Sequence, residues 1–94
     1  MAFGYYEEKE REVKIDGYTA INVIANFRTD GKFMPFKAQI VENDERITID
    51  LIVKRTVEQV NRIMFDCYYE MGNRECPITI FYFLKHHIWM IQNP

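Results

Sequence analysis

Cys67, Cys76, His86 and His87 are the only thiols and imidazoles in this 94-residue chain. A metal site or a nucleophilic centre would have to be built from them. Structural zinc sites favour cysteines only about two to four residues apart, whereas eight residues separate Cys67 from Cys76. His86 and His87 are adjacent, and adjacent side chains of a strand point to opposite faces. We therefore expect no metal and no cofactor. A Cys with a His formally offers a nucleophile and a base. Cys67, however, falls on the apolar face of a strand, where a thiolate is disfavoured. Asp50 and Asp66 occupy outward positions, and no paired-carboxylate spacing stands out. The four glycines, Gly4, Gly17, Gly31 and Gly72, lie too far apart for a phosphate-cradling loop. These readings point away from an enzyme. Two cysteines are also fewer than disulfide scaffolds carry, so both thiols are expected free.

A chain this short builds one domain with one modest core. Its net charge is −2, and the imbalance is local. Residues 1–16 hold three Lys/Arg against five Asp/Glu, while residues 17–94 hold nine of each. A neutral body lacks the basic footprint that drives nucleic-acid binding. No apolar run reaches the roughly 18–20 residues of a membrane span. The opening Met-Ala-Phe-Gly-Tyr-Tyr does not read as a signal peptide. A cytoplasmic protein with no membrane partner is expected.

Ile, Val and Thr total 23 residues and aromatics 14, against only six Leu and Ala. Such side chains suit a pleated, half-buried surface, so the fold reads as all-β. Asp30-Gly31 between two alternating runs predicts a type I′ hairpin. Centred there, Phe27 faces Met34, Ala25 faces Phe36, Val23 faces Ala38 and Ile21 faces Ile40. The other face pairs Arg28 with Phe33, Asn26 with Pro35, Ile24 with Lys37 and Asn22 with Gln39. Pro35 lacks an N–H, so the ladder on its far side must break or bulge. After the polar turn at residues 42–45, Ile47, Ile49, Leu51 and Val53 point one way in a third strand, which bends over residues 54–59. Ile63, Phe65, Cys67, Tyr69 and Met71 share one face of a fourth. Gly72-Asn73 suits a type II′ turn. It sets Cys67 opposite Ile78, Phe65 opposite Ile80 and Ile63 opposite Tyr82. It also sets Glu70 against Glu75, which argues for a longer loop. A fifth strand covers residues 78–84, and residues 88–91 close the set. The expectation is one small domain of SH3-like size over residues 17–94, a five- or six-stranded antiparallel meander curled into a partly open barrel. Residues 1–16 read as a charged tail or short helix.

Laid out this way, Asp30-Gly31-Lys32, Pro35-Phe36, Phe65 with Cys67, and Trp89-Met90-Ile91 resemble a small β-barrel domain that recurs in uncharacterised bacterial proteins. The resemblance spans residues 19–91 and implies a fold. It implies no activity and no functional residues.

Two surfaces are candidates. With Ile78, Ile80, Tyr82 and Leu84 inward, Phe81 and Phe83 point outward, and Met64 and Tyr68 share their face. Met64, Tyr68, Phe81 and Phe83 would form an exposed apolar patch of the kind that marks an interface. It would be free for a protein partner or a second copy in a homodimer, unless residues 1–16, with Phe3, Tyr5 and Tyr6, fold back over it. The expected function is a non-catalytic interaction or assembly module. The alternative is a nucleic-acid-binding barrel with a Lys54, Arg55 and Arg62 rim.

Overall fold

The computed structural model describes residues 13–94. The described chain is all-β, with eight strands. These are β1 (Tyr18–Ala20), β2 (Asn22–Phe27), β3 (Phe33–Glu42), β4 (Glu45–Asp50), β5 (Ile52–Glu58), β6 (Arg62–Met71), β7 (Arg74–Phe83) and β8 (Ile88–Gln92). They form a five-stranded antiparallel sheet, β1-β8-β7-β6-β5, and a three-stranded one, β2-β3-β4. Among the described residues no helix is long and apolar enough to cross a membrane.

The chain passes between the sheets at two corners. Ile21 lies between β1 and β2, and its N–H donates to the Trp89 carbonyl at 3.0 Å. Leu51 lies between β4 and β5, and its N–H donates to the Phe36 carbonyl at 2.9 Å. Counted through these corners, the eight strands are six long runs, two of them bent at the middle. The sheets curl together as a partly open barrel. Ile21 is thus a corner residue and does not pair with Ile40.

The β6–β7 hairpin has the register that Gly72-Asn73 predicts, from Arg62 opposite Phe83 to Met71 opposite Arg74. Gly72 has φ +63°, which a non-glycine residue adopts only at a cost. The loop stays at two residues even though Glu70 faces Glu75. Both are exposed, so water and salt screen the repulsion.

The β2–β3 hairpin departs from the simple reading. Asn22, Val23 and Ile24 face Gln39, Ala38 and Lys37 as expected, but Ala25 then faces Pro35, Asn26 faces Met34 and Phe27 faces Phe33. Phe36 is the extra residue of a bulge. The turn accordingly shifts to Thr29-Asp30, closed by Gly31 N–H donating to the Arg28 carbonyl at 3.0 Å. The two consecutive positive φ angles of a type I′ turn occur instead at Asn43 and Asp44, 51° and 64°. β3 pairs with β4 only from Lys37 onward, so the ladder ends short of Pro35.

The core lies between the sheets. Ala38 and Ile40 of β3 and Ile49 of β4 meet Phe65, Cys67 and Tyr69 of β6 and Ile80 of β7, with Leu51 at its corner. Phe33, Phe65, Tyr82 and Trp89 form an aromatic cluster at one end, with Phe33 5.1 Å from Tyr82 and 5.8 Å from Trp89. Leu84, expected to face inward, is exposed because β7 ends at Phe83 and the chain turns there.

Candidate interaction surface

The outer face of the large sheet carries Met64, Phe81 and Phe83 as expected, with Met90 and Ile88 beside them on β8. It is not bare. Phe81 is 5% and Phe83 9% exposed. Val13, Ile15 and Tyr18 pack over them and make a second apolar core. The Tyr18 ring meets Phe81 and Phe83 edge-on at 5.4 and 5.3 Å. A turn positions that ring, with Tyr18 N–H donating to the Ile15 carbonyl at 3.0 Å. The open patch expected at Phe81 and Phe83 is therefore covered within the chain. Met64 is half-buried in the same cluster, and Tyr68 is half-buried beneath Lys54. Of the tail or short helix expected over residues 1–16, residues 13–16 are described and are not helical, while residues 1–12, with Phe3, Tyr5 and Tyr6, lie outside the described residues.

Lys54, Arg55 and Arg62 do share the outer face of the large sheet, but each is engaged. Arg62 lies over Phe81, 4.4 Å from the ring centroid, and donates to the Tyr18 hydroxyl at 2.6 Å and to Gln59 Oε1 at 2.5 Å. Its planar guanidinium suits stacking on aromatic faces. Arg55 approaches Asp66 at 3.9 Å. Lys54 sits 5.1 Å over the Tyr68 ring. Lys54 and Arg55 nevertheless stay exposed, whereas Arg62 is half-buried.

The thiols and imidazoles do not converge. Cys67 is buried, Cys76 is half-buried opposite Tyr69, and both are free. Cys67 Sγ donates to the Phe65 carbonyl at 3.5 Å. His87 sits in the β7–β8 turn with φ 55°, its Nδ1 3.1 Å from the Tyr82 hydroxyl. Among the described residues, no three His, Cys, Asp or Glu side chains gather as metal ligands.

Burial pushes the Cys67 thiol up to about 11 from an ordinary 9.0, and the Asp66 carboxylate adds to the effect. Native protein at pH 8 should therefore be alkylated by iodoacetamide at Cys76 alone, with Cys67 reacting only after unfolding. Equal labelling rates would contradict this. The raised folded value also sets a sign. The folded chain keeps a proton that the unfolded chain releases between about pH 9 and 11. This contribution to stability is complete below about pH 9 and should fall by roughly 1.4 kcal/mol per pH unit across that window.

Sequence patterning drew attention to the large sheet, yet exposed apolar side chains concentrate on the small one. Ile24 (56%), Phe27 (76%), Met34 and Val41 all lie on the β2–β3 hairpin, half of the eight exposed large hydrophobics among the described residues. Ile24, Met34 and Val41 share its outer face with Asn22, Gln39, Lys37 and Asp50. Phe27, expected on the core side, stacks on Phe33 at 5.3 Å but stays open to solvent at the rim. It is the last residue of β2. Nearby, the sheets part between β3 and β5 in a cleft of 460 Å³ lined by Phe33, Met34, Thr56, Glu58, Ile63 and Phe65. The signal available in sequence was Ile24, an aliphatic residue on an otherwise polar strand face. Comparison of the chain with family models, curated proteins and solved structures finds no match.

Proposed function

We propose that this protein is a non-catalytic interaction module that assembles with copies of itself, and that the three-stranded sheet carries the contact. The supporting observation is the contrast between the two sheets. The large sheet's outer aromatics are covered by residues 13–18, whereas among the described residues nothing covers Ile24, Phe27, Met34 and Val41, which stay exposed. Apolar groups left in water at one place favour association, at about 25 cal/mol for each Å² removed from solvent.

Light scattering across about a hundredfold range of concentration tests the reading. The expected result is a species heavier than 11.4 kDa whose mass falls on dilution. The combined Ile24→Ser, Phe27→Ser and Met34→Ser variant should stay at the monomer mass with unchanged β-type circular dichroism. A parent chain that is monomeric throughout overturns the reading. Oligonucleotide binding that weakens steeply with salt, and is lost when Lys54, Arg55 and Arg62 become Ala, would instead favour the nucleic-acid alternative.

A further inference from the structure

Among the described residues the two sheets leave four strand edges, and three of them are defended. An edge strand presents unpaired N–H and C=O groups that template pairing with another chain, and proteins blunt it with charge, bulges or shortness. β5 carries Lys54 at a bulge, followed by Arg55. β4 bears Glu45, Arg46 and Asp50. β1 is three residues long. β2 has none of these protections. Its six residues, Asn22-Val23-Ile24-Ala25-Asn26-Phe27, include no charge, proline or glycine. Its irregularity places the extra residue on β3, so β2 itself runs straight. Among the described residues β2 bonds only to β3, because the chain leaves β8 at the Ile21 corner.

We propose that two copies of this chain pair antiparallel through their β2 edges about a two-fold axis centred on Ile24. This rests on the self-association reading above and names its geometry. The strand is palindromic in polarity about that residue: Asn, apolar, Ile24, apolar, Asn. Antiparallel self-pairing then sets Ile24 against Ile24, Asn22 against Asn26 and Val23 against Ala25. Every pair matches apolar with apolar or amide with amide, and no like charges meet. Centring on Ala25 instead would set Ile24 against Asn26. The pattern therefore selects one register. It also selects the occupant, since a two-fold contact must be complementary to itself. The product is a six-stranded sheet, β4-β3-β2-β2-β3-β4, in which both copies of Ile24 leave solvent. A two-fold closes on itself, so association stops at the dimer.

The test uses the full chain with Cys76→Ser, which leaves Cys67 buried, and adds Ile24→Lys, Ile24→Cys or, away from the edge, Val60→Lys. Ile24→Lys should raise the dimer dissociation constant at least about a hundredfold while retaining the circular dichroism of the parent. Val60→Lys should change it less than about threefold. Ile24→Cys should give a disulfide-linked dimer under mild oxidation, since residues directly opposite in an antiparallel pair have Cβ atoms about 4.5–5.5 Å apart. A parent dimer that survives Ile24→Lys and yields no linked Ile24→Cys species overturns the β2 edge but leaves self-association standing. A parent chain that is monomeric throughout overturns both.

Discussion

Phe81→Glu should cost the protein most of its stability. The ring is 5% exposed, between Tyr18, Phe83 and the Arg62 guanidinium, with Met90 opposite it on β8. Removing a buried phenyl group costs roughly 3–5 kcal/mol through lost transfer energy and the cavity left behind. A carboxylate in its place is desolvated as well, and pairing with Arg62 offsets only part of that cost. A domain of this size has a total stability of roughly 5–14 kcal/mol. The expected outcome is a chain that is unfolded or barely folded at 25 °C by circular dichroism. Phe81→Leu should remain folded with a modestly lower midpoint. A Phe81→Glu chain that keeps the parent's urea midpoint but no longer associates would return the interface to the aromatic face.

The second large effect belongs to the other core. Phe65 is fully buried, faces Ile80 across β6–β7, and lies 5.6 Å from Trp89 and 6.0 Å from Phe33. Phe65→Ala should lower stability by about 3–5 kcal/mol. Its urea midpoint should fall by roughly 2–4 M at an unchanged slope. A loss below about 1 kcal/mol would mean that the cluster of Phe33, Tyr82 and Trp89 collapses into the space. The two variants probe different packing, because Phe65 and Phe81 lie on opposite faces of one sheet.

That two-sidedness marks how far the sequence could be read. Alternation tells which face a side chain takes, and on that point it served well. Phe65, Cys67 and Tyr69 are inside, and Phe81 and Phe83 are on the far face. The β6–β7 register was legible because ten alternating residues on each side meet a Gly-Asn turn. Alternation does not tell what covers a face. Val13, Ile15 and Tyr18 follow no strand period and lie more than sixty residues from Phe81 in sequence. Nor does it tell which sheet a residue belongs to. Ile47, Ile49, Leu51 and Val53 alternate without interruption, yet the chain changes sheets at Leu51. The one-residue slip near Phe27 arises where Pro35 meets the Phe36 bulge, a backbone event that side-chain pattern does not record. The proposed interaction surface was the least legible part, because Ile24 and Phe27 stand out only once the other described residues are known to leave them exposed.

Asn93 N–H donates to the Gly17 carbonyl at 2.8 Å, and Tyr18 lies opposite Gln92. The first and last described strands thus end side by side. A pulling force applied between residues 17 and 93 would act across β1 and β8 at their shared end, along the ladder bonds that hold them. The load then falls on one bond at a time, and the pair unzips; it does not shear as a block. The same pull lifts Tyr18 from beneath Arg62 and draws residues 13–17 away with it, so tension at this seam would lay Phe81, Phe83 and Met90 open to water while the core between the sheets is still intact.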